Sequence, residues 1–173
     1  MINFNNLNKD LIKIIYEFIF FTPRNNDILK KAVNEWCFNK NEALKKYGHI
    51  SDWNTYFITD MSELFNAKNF NDEINNWNVS NVTNMKNMFF ECANFNKSLD
   101  KWDVSNVTNM SNMFCLNNSF DKYNSLNNWD ISNVEYYDGM FEYSNCFLPN
   151  KWRRLDNQSD RKKMFGKAGC TIS

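Results

Sequence analysis

The residues of this 173-residue chain that could do chemistry in concert are polar side chains recurring in step: Asn76, Asn78 and Ser80; Lys101, Asp103 and Ser105; Asn128, Asp130 and Ser132. If the three segments stack, Asn78, Asp103 and Asp130 form one column with neighbours about 4.8 Å apart. Two adjacent carboxylates at that distance repel by about 1 kcal/mol in a water-like dielectric, which a cationic partner or a metal ion would relieve. The competing use is structural and is favoured by the residue types. An Asp or Asn two residues before a Ser or Asn accepts from the backbone donors of the following turn. These nine positions are the candidate binding surface.

Catalysis has little to build on. His49 is the single histidine, the four glycines form no phosphate-binding loop, and no nucleophile stands at a recognisable spacing from a base. His49 reads as a turn residue. The five cysteines, Cys37, Cys92, Cys115, Cys146 and Cys170, are odd in number and lack Cys-x-x-Cys spacing, which favours inert buried thiols over a disulfide, a metal site or a nucleophile. The expectation is a protein that is not an enzyme and needs no metal or cofactor. Acceptor patterns such as Asn81-Val-Thr83 and Asn106-Val-Thr108 read as by-products of an asparagine-rich repeat.

What positions the nine residues is a repeated phrase. It runs Trp77-Asn-Val-Ser-Asn-Val-Thr-Asn-Met-Lys-Asn-Met-Phe89, then Trp102-Asp-Val-Ser-Asn-Val-Thr-Asn-Met-Ser-Asn-Met-Phe114, then Trp129-Asp-Ile-Ser-Asn-Val-Glu-Tyr-Tyr-Asp-Gly-Met-Phe141. A looser copy starts at Trp53, so the tryptophans step by 24, 25 and 27 residues, the last step holding an insertion near Tyr123-Asn124. A fixed phrase at such a period means one unit stacked on copies of itself. Trp152 keeps the tryptophan and loses the phrase, as a terminal cap does.

Within a copy, Ile74, Trp77 and Val79, or Leu99, Trp102 and Val104, or Leu126, Trp129 and Ile131, read as a short strand, and the three-residue spacing of Val107, Met110 and Met113 reads as a helical or 3₁₀ return. The predicted fold class is an α/β repeat solenoid. It has a short parallel sheet, one strand and one helical or 3₁₀ return per coil, and a helical N-terminal cap. The domains follow: residues 1–48 as cap, 49–150 as solenoid, 151–173 as C-terminal capping segment. Each repeat tryptophan buries roughly 150–250 Å².

Charge excludes some partners. Lys plus Arg and Asp plus Glu both total 20, so no net charge draws the chain to nucleic acid. Leu11 to Phe21 is apolar, but Lys13 and Glu17 interrupt it and it is too short to span a bilayer. No membrane span is expected and an intracellular location is. Lys151, Arg153, Arg154, Arg161, Lys162, Lys163 and Lys167 make the C-terminal segment locally basic, which reads as a solvated cap helix.

At the Trp-Asp-Val-Ser-Asn-Val-Thr-Asn-Met-x-x-Met-Phe phrase, with Phe70-Asn71 and Phe95-Asn96 before the next round, the chain resembles the BspA-type leucine-rich repeat, found in mycoplasma and other bacterial surface proteins and in proteins of protists and large DNA viruses. The resemblance covers about residues 28 to 150, including the lead-in from Leu29 to Trp36 and from Tyr47 to Trp53. It implies a leucine-rich-repeat-like solenoid, a role in protein binding or adhesion, and no catalytic residues. Without an export signal or lipidation motif, a viral or protist intracellular member is the expectation, in a host-cell cytoplasm if viral.

The expected function is a non-catalytic protein–protein interaction module with a protein partner. An alternative is an adaptor in which Leu7 to Phe18 and Val33 to Trp36 resemble a degenerate F-box that docks a ubiquitin-ligase component. A structural or adhesive surface or virion protein is the other alternative. Four strands at about 4.8 Å make a face of about 400 Å², below the roughly 800 Å² of a standard footprint. Either the caps or self-association supply the difference, or the binding is weak.

Overall fold

A computed structural model describes residues 20–120 and 126–144. Two helices lead into the repeats: α1, Asn26–Phe38, and α2, Lys40–Tyr47. Each is started by an asparagine: Asn25 accepts from the N–H of Ile28, and Asn39 from that of Glu42. Asn39 also ends α1, so one residue serves both helices. Gly48, at φ 71°, closes α2 with its N–H on the carbonyl of Leu44.

α1 is a lid on the first copy. Leu29, Ala32, Val33 and Trp36 follow helical spacing and are all buried. The Trp36 ring meets Trp53 edge to face at 5.8 Å, and its Nε1 donates to Asp72 at 2.9 Å. Asn26 covers the open edge of the first copy, its Oδ1 accepting from the N–H groups of Thr59 and Asp60. Val33 and Trp36, the downstream part of the docking motif expected within residues 1–48, are thus spent on this contact. The upstream part, from Leu7 to Phe18, lies outside the described residues, as do Tyr123-Asn124, Cys146, Trp152, Cys170 and the C-terminal basic segment.

The four copies lie one on the next. Trp53, Trp77, Trp102 and Trp129 are each at most 3% exposed. Their Nε1 groups donate backward in the chain, to the carbonyls of Gly48, Ile50, Ile74 and Leu99 respectively. Phe65, Phe89, Phe114 and Phe141 stack nearly parallel at centroid distances of 5.3, 5.5 and 5.7 Å. The methionines of the phrase, Met61, Met85, Met88, Met110 and Met113, fill the space between at 0% exposure.

The strand position differs from the expectation. No strand forms at Trp77 to Val79, Trp102 to Val104 or Trp129 to Ile131; each tryptophan N–H instead closes a turn onto the residue three before it. The parallel pairing sits further on, as isolated bridges Asp60 to Asn84, Asn84 to Asn109 and Asn109 to Tyr136. From there alternate N–H groups donate to the next copy: Met85, Asn87, Phe89 and Glu91 to Asn109, Ser111, Met113 and Cys115, at 2.8 to 3.0 Å.

The residues between them close turns within their own copy, Met88 onto Met85, Phe90 onto Asn87 and Cys92 onto Phe89. The expected helical return is this chain of turns, carrying two left-handed residues per copy. Glu63, Asn87, Asn112 and Gly139 form one such column, at φ 60°, 55°, 54° and 64°. Ala67, Glu91, Leu116 and Tyr143 form the other, at φ 52°, 54°, 58° and 55°. The hydrogen bonds to the next copy hold this backbone, whose i→i−3 turns and left-handed residues set it apart from an extended strand.

Candidate functional site

The nine polar residues chosen from the sequence do occupy equivalent places in successive copies, but most of their side chains are engaged. Asn78 Oδ1 accepts from the N–H and Oγ of Ser80, at 3.1 and 2.7 Å. Asp103 does the same for Ser105, at 3.1 and 2.6 Å, and Asp130 accepts from the Ser132 N–H at 3.0 Å. These are local turn caps. Lys101 Nζ donates to Asn76 Oδ1 at 3.1 Å across copies, and Asn128 is exposed. The positions therefore lie on turns and not on outward strand faces, the strand having been displaced along the phrase.

Asparagines next to them tie one copy to the next. Asn81, Asn106 and Asn133 donate Nδ2 to the carbonyls of Tyr56, Ser80 and Ser105, at 2.8, 2.8 and 2.6 Å. Asn84 and Asn109 accept from Lys86 and Ser111, and Asp60 accepts from Ser62. Burial would raise Asp60, yet the Ser62 and Asn84 hydrogen bonds outweigh it and hold the carboxyl below the ordinary aspartate range. The repeated asparagines are thus turn and ladder residues, a signal that the Asx spacing already carried.

A different face was not picked out from sequence. The four turn segments 62–67, 86–91, 111–116 and 138–143 bury Leu64, Met88, Met113 and Met140 with the phenylalanine that follows each, and at the last two positions of each segment the copies stop agreeing. Equivalent positions read Asn66, Phe90, the buried Cys115, Glu142 and Ala67, Glu91, Leu116, Tyr143. Tyr143 is 56% exposed, while Phe90 and Leu116 are half-buried and lie outside the continuous core. Cys115, between Phe90 and Glu142 in its column, is 5% exposed. Burial pushes its thiol up to about 11, with the nearby carboxylates of Glu142 and Glu91 adding to the effect. Comparing outward positions between copies, rather than the shared phrase, was the signal that could have found this face.

The other described thiols are also protonated at neutral pH. Burial pushes Cys37 and Cys92 up to about 11, and Cys92 Sγ rests on the carbonyl of Phe70 at 3.5 Å. His49 accepts the Ser51 N–H at 3.3 Å and meets the Trp36 ring edge to face at 5.4 Å, at the junction of cap and first copy. Among the described residues no group of three or more His, Cys, Asp or Glu gathers to hold a metal, and no helix is long and apolar enough to cross a membrane.

No curated protein and no solved structure matches the chain. A family model does, over residues 32–154, the span that begins inside α1 and takes in all four copies. By that match the chain belongs to the family described as Mycoplasma protein of unknown function, DUF285.

Proposed function

We propose that the chain is a non-catalytic protein-binding module, a short repeat solenoid of the BspA leucine-rich-repeat kind closed at its start by α1. The observation that carries this reading is the division of labour among its residues. Every repeated letter of the phrase is used for packing, turn formation or bonding between copies, which leaves the outward turn positions free to vary on a rigid frame. Repeat frames of this type bind through such variable positions. An intracellular setting belongs to the same proposal and is supported by three free, protonated thiols, Cys37, Cys92 and Cys115.

Affinity capture from an extract of the protein's own cells tests the reading. The full chain should retain a protein that a copy with substituted turn-face residues does not. Retention of nothing above an unrelated control of equal size would overturn it.

A further inference from the structure

Resting on the protein-binding reading above, we propose that the turn face binds an extended peptide segment presenting lysine or arginine beside apolar side chains. The backbone points there first. In one left-handed column Asn87, Asn112 and Gly139, three residues of four, tolerate positive φ, with Glu63 the exception. In the other, beside Ala67 and Glu91, Leu116 and Tyr143 sit at φ 58° and 55°, a backbone that bulky side chains rarely adopt. The bond to the next copy there is made by the backbone, Leu116 N to Glu142 O at 2.9 Å, and needs no particular side chain. Folding alone favours asparagine or glycine at both places. Side chains kept against that preference point to a use outside folding.

Their surroundings name the partner chemistry. Phe90, Leu116 and Tyr143 supply apolar area on a molecule whose other outward columns are mostly Asn, Ser and Thr. Glu91 N–H donates to the Cys115 carbonyl at 3.0 Å and the Glu142 carbonyl accepts from Leu116 N at 2.9 Å, which places both glutamates beside that area. Across the four turn segments Glu63, Glu91, Asp138 and Glu142 stand against Lys86 alone. An acidic or purely apolar partner would leave those carboxylates desolvated and unpaired, whereas a cationic side chain next to an apolar one satisfies both parts. Four copies at about 4.8 Å give a strip of about 15–20 Å, the length of five or six extended residues.

Selection of random twelve-residue peptides displayed against the full chain tests this. Enriched peptides should carry Lys or Arg next to Leu, Ile, Phe or Trp. Their affinity should fall at least about tenfold on the double substitution Leu116→Asn, Tyr143→Asn, a variant that should melt no lower than the parent because asparagine accepts the left-handed backbone. Glu91→Gln with Glu142→Gln should weaken the same peptides and flatten their salt dependence. Enrichment of acidic peptides, binding indifferent to both variants, or a lower melting temperature for the asparagine variant would overturn this face while leaving the protein-binding reading standing. No enrichment, together with empty affinity capture, would remove both.

Discussion

At the residue scale each repeated letter has one physical duty. Trp102 shows it most fully: its ring stacks on Trp129 at 6.2 Å and its Nε1 donates to Ile74 at 3.1 Å. Trp102→Ala removes both and should cost roughly 3–5 kcal/mol in a denaturant titration; a loss under about 1 kcal/mol would place the ring outside the core. Gly139 is the converse case, a position defined by what it lacks. It has φ 64°, and an added Cβ would collide with Asn112 Oδ1. Gly139→Ala should therefore destabilise by about 1 kcal/mol or more. Adding Asn112→Gly, which removes that side chain and accepts φ 54°, should recover the part due to collision and leave the part due to the φ of residue 139, a split that unfolding midpoints read against Asn112→Gly alone.

At the element scale α1 is held by a small number of contacts that can be switched off. Asp72 receives Trp36 Nε1 at 2.9 Å and Lys40 Nζ at 2.6 Å. Burial alone would raise its pKa, but these two hydrogen bonds and the Lys40 charge outweigh it and hold the carboxyl below the usual aspartate range. A depressed folded-state pKa contributes stability that is fully present above the unfolded value near 4 and is lost as pH falls through the folded value. Melting temperature should drop as the solution is acidified below about pH 4, and Asp72→Asn, which removes the charge at every pH, should lower the melting temperature at neutral pH and shrink the further drop on acidification. An unchanged acid profile in the variant would show that the lid is not fastened there. The exposed Lys45 to Glu42 pair on α2 contributes little by the same reasoning.

At the scale of the whole molecule, stability is a sum over copies and the junctions between them. Each junction repeats the same set of bonds, so a copy can be removed without creating a new kind of contact. Deleting residues 85–109 joins Asn84 to Met110, reproducing the Asn109-Met110 link, and keeps the tryptophan-to-tryptophan period close to that of the parent. The shortened chain should still fold cooperatively, with a lower melting temperature and a denaturant slope reduced in line with the surface it no longer buries. Circular dichroism of a chain that fails to fold would mean that the third copy is not equivalent to its neighbours. The same additivity bears on binding: an additional copy would lengthen the turn face by about 4.8 Å without altering the cap.

The amino-acid sequence by itself determined the period, the core and the turn caps. Tryptophan, phenylalanine and methionine at fixed spacing can only be inside, and Asp103 before Ser105 was legible as a local cap because that hydrogen bond closes within three residues. The expected helical cap over residues 1–48 has α1 and α2 among its described residues. What only the tertiary structure decided is where the parallel pairing falls and which outward residues share a face. Trp102 and Val104 alternate as a strand would, but the bonds between copies run through residues 109 to 116, where Asn112 and Leu116 adopt a left-handed backbone that no local preference of leucine favours. That conformation is held by Leu116 N on the Glu142 carbonyl and Asn112 N on that of Asp138. Both acceptors belong to the next copy, so neither the turns nor the face they build exists until the copies stack.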